Sequence, residues 1–261
     1  MVIALTIAGS DSGGGAGIQA DLKTFAAHGV YGTTVLTAVT AQNTRGVQAV
    51  QVLSPAMVEV QFHSVISDLP PAATKLGMLA NEDIVRVVAN ALRHHRLPNI
   101  VLDPVMVAKG GDHLLDPGAV TLLREQLLPL ATVVTPNVPE AEVLTGLTIR
   151  TTEDQHDAAA RLVDLGAQSA VVKGGHLDGP AVDVWTDGKR TEVLRTDRID
   201  SVHTHGTGCT FAASIAAGLA MGLPIDAAVT RAKTYVTGAI RHAPGLGGGH
   251  GPLDHFWNTR T

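Results

Sequence analysis

The hydrophobic pattern of the chain is a series of short apolar runs, each followed by a segment with helical spacing. The runs are rich in Val, Ile, Leu and Ala and are too short for helices, so they predict buried strands. They span residues 2–8, 33–41, 73–76, 100–102, 132–134 and 170–172. Because predicted strands alternate with predicted helices, the order favours a mostly parallel central sheet with helices on both faces.

Helical spacing is clearest in three segments. Apolar residues recur between residues 18 and 26, ahead of Gly29, and between residues 84 and 92, ahead of Pro98. The strongest pattern runs from Ile225 to Ile240 at i, i+3, i+4, i+7 spacing. Residues 185–196, broken by Asp187–Gly188, predict a hairpin added to the sheet. No linker or internal repeat divides the chain, so we expect one domain over residues 1–261.

Composition excludes some classes of protein. The chain has 19 Lys and Arg against 24 Asp and Glu, and this net charge of -5 argues against a nucleic-acid binder. Aromatic residues make up only 3 %, so aliphatic side chains must build the core. The single cysteine cannot form an intrachain disulfide, and no signal peptide or membrane span is evident. We therefore expect a cytoplasmic protein that does not bind membranes.

Polar or glycine-rich motifs stand directly after nearly every predicted strand. They are residues 9–17, Gln42–Asn43, Gly77–Met78, Asp103–Pro104, residues 136–140 and residues 173–176. In an open parallel sheet the ligand crevice lies outside the carboxyl ends of the strands. We therefore expect these motifs to converge on one crevice.

The first glycine motif fits a relaxed dinucleotide fingerprint, which raises the hypothesis of an oxidoreductase. Residues 15–20 match G-x-G-x-x-A between a strand and a helix. That fingerprint needs an acidic residue about 20 positions further on, whereas after Asp21 the next acidic residue is Glu59. The sequence therefore disfavours a nicotinamide cofactor, and it also lacks a Walker-type phosphate loop.

The second glycine motif, residues 205–210, leads into a run of small residues and predicts a helix N-terminus. Gly206 and Gly208 would let an anion approach free backbone amides there, where the helix dipole also favours negative charge. Tight packing explains the same glycines equally well. Cys209 is most simply a small buried filler, but at a helix start its thiol pKa would be lowered.

Four further residues have both a structural and a chemical interpretation. Asp103 and Glu140 offer oxygen ligands for Mg²⁺, although Asn137–Glu140 also matches a capping box. Lys173 is either a solvated lysine or a contact for a nucleotide phosphate. Gln42 either ends its strand or binds the edge of a heterocycle. An anion site, a magnesium site and a lysine in one crevice favour a small-molecule kinase without a Walker loop.

The motifs resemble those of the hydroxymethylpyrimidine/phosphomethylpyrimidine kinases of thiamin synthesis. The resemblance rests on residues 8–21, 40–44, 103–106, 136–141, 173–176 and 203–210, and it extends to the tail at 249–256. It implies a ribokinase-like three-layer α/β/α sandwich that uses ATP and Mg²⁺. It also implies that a pyrimidine alcohol is phosphorylated first, and then its monophosphate.

The resemblance assigns residues to a substrate pocket. Gln42 would hold the aminopyrimidine edge. The residues that would shape the pocket around the ring are Gly9, Asp21, Met78 and Val105.

The resemblance also assigns residues to the phosphoryl groups. Asp103, Asn137 and Glu140 would organise Mg²⁺ and phosphate, and Lys173 would face ATP. Wider ribokinase relatives carry an aspartate, thought to be the general base, where Cys209 stands. The thiol is therefore a candidate proton acceptor, a part of the anion site or a substrate contact, and these three roles stay open.

Two alternatives accompany this interpretation. A kinase for pyridoxal or pyridoxine of the same superfamily would share the motifs, and a catalytically silent pyrimidine sensor would share the pocket. The expected partner in each case is a small molecule. The oligomeric state is not fixed by the sequence, and a homodimer is one expectation.

Overall fold

The computed structural model describes residues 1–107, 114–177 and 179–259. Within these residues, nine strands form one sheet in the order β3-β2-β1-β4-β5-β6-β7-β8-β9. The strands are β1 (Ile3–Asp11), β2 (Tyr31–Asn43), β3 (Gly46–Val52), β4 (Ala73–Leu76), β5 (Ile100–Leu102), β6 (Val133–Val134), β7 (Ala170–Lys173), β8 (Ala181–Thr186) and β9 (Thr191–Thr196).

The centre of the sheet is parallel and its edges are antiparallel. β2, β1, β4, β5, β6 and β7 pair in parallel, each with its neighbour. β3 pairs antiparallel with β2 at one edge, and the β8–β9 hairpin pairs antiparallel with β7 at the other. The prediction of a mostly parallel sheet with an added hairpin is confirmed.

Eight α-helices connect or flank the strands in the described part of the chain. They are α1 (Gly17–Ala27), α2 (Pro55–Asp68), α3 (Glu82–His95), α4 (Pro117–Leu122), α5 (Val138–Thr145), α6 (Thr152–Asp164), α7 (Thr207–Ala220) and α8 (Ile225–Arg241). A π-helical turn (Leu123–Leu127) and a 3-10 turn (Leu128–Leu130) extend α4. Among the described residues, the structure contains no helix long and apolar enough to cross a bilayer.

The sheet separates two hydrophobic cores because neighbouring strand residues face opposite sides. In β5, Ile100 and Leu102 pack in the core covered by α2 to α6, whereas Val101 packs in the core covered by α1, α7 and α8. Helices thus cover both faces. The predicted three-layer α/β/α sandwich is confirmed.

β3 was not predicted, and α2 was predicted only without bounds, as the helical segment that follows the run at 33–41. β3 forms an exposed edge, so its side chains carry little core signal. α2 begins with Ser54 as N-cap and Pro55 in its first turn, which are both start signals. Apolar residues lie on both the buried and the exposed side of α2, since Val58 is buried while Val60 is 63 % exposed. The hydrophobic pattern therefore does not show which side packs against the sheet.

Candidate functional site

The strand-end motifs converge, as expected, on a cavity of about 710 Å³ at the carboxyl ends of the parallel strands. Candidate residues from seven separate segments line it. They are Gly9, Gln42, Met78, Asp103, Val105, Asn137, Glu140, Lys173, Gly206, Gly208 and Cys209.

The first turn of α7 forms one wall of this cavity. Gly206 caps the helix with a φ of 82°, and a Cβ there would collide with the carbonyl oxygen of Gly15, so the position requires glycine. The backbone amides of Gly208 and Cys209 donate to no acceptor within the described residues. Close packing therefore requires glycine at position 206 and also leaves free amides in the cavity wall, and the binding of an anion there stays a prediction.

An ion pair between Lys173 and Asp103 lies beside this helix start. Lys173 Nζ is 3.1 Å from Asp103 Oδ1, and a Cβ on Gly208 would lie 3.3 Å from Nζ. Burial lowers the pKa of Lys173, but the charges of Asp103 and Glu140 outweigh this and hold the pKa above its usual value. Lys173 is thus a charged residue of the cavity wall rather than a solvated strand end.

Asn137 and Glu140 form the capping box that their spacing predicts. Glu140 N donates to Asn137 Oδ1 at 2.9 Å, and Asn137 N donates to Glu140 Oε2 at 2.8 Å. Burial raises the pKa of Glu140 to about 7, and the charge of Asp103 adds to the rise although Lys173 opposes it. The helix cap therefore also places a titratable carboxyl in the cavity wall.

The donor set of this wall fits Mg²⁺. Thr135 and Lys173 both donate to Asp103 Oδ1, whereas Oδ2 accepts no hydrogen bond from any described residue. Asp103 and Glu140 are close enough for one charge to raise the pKa of the other. Two neighbouring carboxylates are hard oxygen ligands of the kind that Mg²⁺ prefers.

The expectation of a lowered pKa for Cys209 is wrong. The residue is half-buried at the start of α7, with one side on the cavity. Burial raises the pKa of its thiol to about 11, and the carboxylates of Asp21 and Asp103 add to this, outweighing the opposing charge of Lys75. Desolvation thus overrides the effect of the helix start, and the thiol is neutral near pH 7.

Gly9, Met78 and Gln42 lie at the β1–β4 end of the cavity. A Cβ on Gly9 would be 3.1 Å from the Met78 sulfur, so the glycine leaves room beside the thioether. Gln42 Oε1 accepts a hydrogen bond from Thr40 at 3.1 Å, and its Nε2 lies 3.4 Å from His205 Nε2. The arrangement is a partly apolar slot with an amide at its rim.

Asp21 does not line the cavity, contrary to the expectation that it shapes the pocket. It is fully buried on α1, where Thr6 Oγ1 donates to Oδ2 at 2.6 Å and Lys75 Nζ donates to the same oxygen at 2.9 Å. The reason is the position of Asp21 behind the strands, against the sheet. It is linked to the cavity by its bond to Lys75, and its charge also acts on the thiol of Cys209.

The sequence analysis missed the roles of Asp11 and His205. Asp11 accepts hydrogen bonds from the amides of Gly13, Gly15 and Ala16 at 2.8, 3.0 and 2.8 Å and from His205 Nε2 at 2.9 Å. Burial raises the pKa of Asp11, but the bonds from His205 and these amides outweigh it and hold the pKa below its usual value. An aspartate ahead of a glycine loop is itself a turn signal.

Lys75 is the third residue that was missed. It lies in the fully buried strand β4 and lines the cavity. A lysine inside an apolar strand is a signal in its own right, because lysine is almost never fully buried without a partner.

Comparison with known proteins identifies the family. The phosphomethylpyrimidine kinase family model matches residues 11–254. The chain belongs to the phosphomethylpyrimidine kinase family. It is 53 % identical over 257 residues to the hydroxymethylpyrimidine/phosphomethylpyrimidine kinase of Synechococcus elongatus, covering 98 % of this chain and 97 % of that protein.

Solved structures agree with this family of kinases. An ADP complex of Bacillus subtilis pyridoxal kinase superposes with a TM-score of 0.93 at 43 % identity, over 100 % of both chains. The phosphomethylpyrimidine kinase of Clostridium difficile gives a TM-score of 0.83 at 43 % identity, over 92 % of this chain and 100 % of that chain. The predicted ribokinase-like fold and kinase class are confirmed.

Proposed function

We propose that this kinase transfers the γ-phosphoryl group of ATP to 4-amino-5-hydroxymethyl-2-methylpyrimidine and then to the resulting monophosphate. The observation that carries the proposal is the cavity itself. It joins the free amides at the start of α7, the Lys173–Asp103 ion pair and a slot for a flat ring. The Synechococcus relative is named for both acceptors.

In the first transfer the alcohol oxygen bonds to the γ-phosphorus while the bond from that phosphorus to the bridging oxygen of ADP breaks. Phosphoryl transfer needs mainly positioning and charge stabilisation. The amides of Gly208 and Cys209 stabilise the negative charge on the transferred group, as free amides do at other helix N-termini. Lys173 neutralises a phosphate oxygen of ATP, and Asp103 keeps the lysine in place.

Asp103 and Glu140 would hold Mg²⁺, with Asn137 fixing the position of the Glu140 carboxyl through the capping box. Mg²⁺ would supply charge neutralisation on the β- and γ-phosphates. The residues of this wall therefore act together on the nucleotide.

At the other end of the cavity Gln42 reads the ring. Its amide both donates and accepts hydrogen bonds, which suits an aminopyrimidine edge. Met78 packs on the ring face, because a thioether adapts to aromatic surfaces, and Gly9 and Val105 complete the slot.

Pyridoxal is a second candidate acceptor. The observation in its favour is the TM-score of 0.93 to a pyridoxal kinase over the full length of both chains. The Met78 thioether packs on a pyridine ring as well as on a pyrimidine, so the discrimination between the two rings falls to the hydrogen bonds that the Gln42 amide makes with the ring edge. We expect pyridoxal to be the poorer acceptor.

Separate turnover assays with the two acceptors test which one the kinase prefers. The protein is supplied with MgATP and either the pyrimidine alcohol or pyridoxal, and kcat/KM is measured from ADP release. We expect kcat/KM to be at least about tenfold higher for the pyrimidine, the effect of one well-placed polar contact. Higher kcat/KM for pyridoxal would replace the pyrimidine assignment, and tight pyrimidine binding without ADP release would show a sensor.

The remaining expectations follow from this proposal. One kinase domain over residues 1–261 suffices for the reaction, because the cavity draws on strands from both halves of the sheet. The reaction belongs in the cytoplasm, where ATP is made available. A homodimer stays a prediction, which sedimentation equilibrium tests.

A further inference from the structure

Lys75 is a charged residue at the centre of the sheet. All four residues of β4 are buried, and Lys75 is 0 % exposed. Burial of an ammonium group is costly unless it is paired. Asp21 accepts a hydrogen bond from Nζ at 2.9 Å. Burial lowers the pKa of Lys75, but the charge of Asp21 outweighs this and raises the pKa far above its usual value, so the ammonium persists at neutral pH.

Lys75 is part of the cavity wall, although its side chain is fully buried. A Cβ built on Gly77 would lie 2.7 Å from Nζ, which places Nζ at the carboxyl end of β4. Lys75 lines the cavity together with Met78 and Cys209. An ammonium group has three N–H donors, and Asp21 is its single hydrogen-bond acceptor among the described residues. Two of its N–H donors are therefore left without an acceptor among the described residues.

The other Lys and Arg side chains that line the cavity lie on the side of β7, β9 and α8. They are Lys173, which pairs with Asp103 and is the lysine proposed to bind ATP, and Arg198 and Lys233, which donate to backbone carbonyls and, in the case of Lys233, to Asp183. Among the described lysines and arginines that line the cavity, Lys75 is the one on the strand next to β1, which carries Gly9. The β1–β4 end of the cavity must receive the acceptor group, and a phosphate acceptor brings negative charge there.

We propose that Lys75 is a catalytic residue that binds the acceptor oxygen. Its two remaining N–H groups donate to the hydroxyl oxygen in the first transfer and to a phosphate oxygen in the second. In each transfer that oxygen bonds to the γ-phosphorus as the bond to ADP breaks, and in the first the hydroxyl proton is released to water. Asp21 is the positioning residue that holds the ammonium group. The inference rests on the proposed function, since it needs both acceptors.

A purely structural ion pair makes a different prediction. A buried pair replaced by well-packed neutral residues often leaves stability unchanged or improved. If Lys75 only joined β4 to α1, a folded neutral pair would keep its activity. If Lys75 binds the acceptor, a folded neutral pair loses acceptor affinity and kcat while ATP binding is kept.

The test uses two neutral double variants of the full chain. Asp21→Asn/Lys75→Met removes both charges with similar volume, and Asp21→Asn/Lys75→Gln lets two amides hydrogen-bond to each other. Thr6→Val is the matched control, because it perturbs the same buried network at the bond to Asp21 and leaves the ammonium in place. Thermal unfolding identifies the folded variants, and calorimetry with the monophosphate acceptor in the absence of ATP measures binding.

We expect either folded double variant to bind the monophosphate about 10- to 100-fold more weakly, the effect of losing a hydrogen bond to a charged group. We expect kcat to fall by about 10²-fold or more with each acceptor, while KM for ATP stays within about threefold and Thr6→Val keeps kcat within about twofold. Parent-like binding and kcat in a folded double variant, equal losses in Thr6→Val, or loss of folding in both double variants would overturn the role of Lys75. A parent protein that phosphorylates neither acceptor would instead overturn the proposed function.

Discussion

Cys209 lies at the start of α7 in the cavity wall, close enough to the buried Asp21–Lys75 pair for both charges to act on its thiol. Its thiol has a pKa of about 11, so at neutral pH it is protonated and a poor proton acceptor. A loose transition state for phosphoryl transfer does not need early removal of the acceptor proton. We infer that Cys209 contributes through contact and through its backbone amide.

Substitution of Cys209 tests this inference. We expect Cys209→Ser to keep kcat within about tenfold of the parent, and Cys209→Ala to lose less than the roughly 10²- to 10⁴-fold typical of a lost general base. The kcat profile of all three proteins across pH checks it. Equal and severe losses in both variants, with a thiol-like ionisation that only the parent shows, would make Cys209 the base.

Glu140 gives the site a dependence on pH. Its pKa is about 7 in the folded protein against a usual value of 4.5. Between about pH 4.5 and pH 7 this carboxyl is therefore protonated in the folded protein and ionised in the unfolded chain. The stability that this group contributes is full below about pH 4.5 and is lost as the pH rises through about 7. Mg²⁺ binding requires the ionised form, so it is favoured on the alkaline side.

Glu140→Gln keeps the size of the side chain and its acceptor for the Asn137 amide, and it removes the charge. Without Mg²⁺ we expect Glu140→Gln to gain several degrees in Tm relative to the parent at about pH 8, and little at about pH 4. With MgATP, kcat should fall and the Mg²⁺ requirement should rise. Thermal scans and Mg²⁺ titrations of the rate check this. An unchanged Mg²⁺ dependence would leave Glu140 as a helix cap alone.

At the scale of residues, the cavity lining was predictable where a residue stands at the end of a strand or directly after it. Gln42, Asp103 and Lys173 were found because the carboxyl ends of parallel strands meet at one edge. The pairing of Asp11 with His205 was not predictable, because 194 residues separate the two side chains and no local pattern relates them. The pKa of Cys209 was misjudged for a related reason, since burial by distant segments decides it.

At the scale of elements, the start of α7 depends on its contact with the first glycine loop. Gly206 has a φ of 82°, and its Cα faces the carbonyl oxygen of Gly15. Gly222, just beyond the end of the same helix, has a φ of 83° with open space around it. The two glycines therefore share one backbone conformation and differ in what surrounds them.

This difference gives a matched pair of variants. Gly222→Ala should cost roughly 1 kcal/mol of stability for the strained φ and leave kcat within about twofold. Gly206→Ala carries the same strain and must also push α7 away from Gly15, so we expect a larger loss of Tm and at least about a tenfold loss of kcat. Equal effects of the two substitutions on kcat would show that the position of the helix start is unimportant for the reaction.

The elements themselves were predictable in proportion to their burial. β4, β5 and α8 have clear patterns because they face a core on one or both sides. β3 was missed because its side chains are mostly exposed and it is held by pairing with the neighbouring β2. The bounds of α2 were not predicted because its apolar residues lie on its exposed side as well as on its buried side. Tertiary context of this kind overrides local preference.

At the scale of the whole molecule, the sheet brings two chemically different halves of one cavity together. The end at β2, β1 and β4 carries the slot with Gln42 and Met78, and the end at β5 to β7 carries the Lys173 wall with its carboxylates. The start of α7 lies between them. The alternation of strands and helices predicted this architecture because it follows from the order of elements alone.

One measurement tests the central claim most directly. The protein is incubated with excess MgATP and the pyrimidine alcohol, and phosphorus NMR follows the products over time. We predict that a monophosphate appears first and is then converted to a diphosphate, with one ADP released at each step. Accumulation of the monophosphate alone, with no diphosphate when ATP remains in excess, would contradict the account of a single cavity that serves both acceptors.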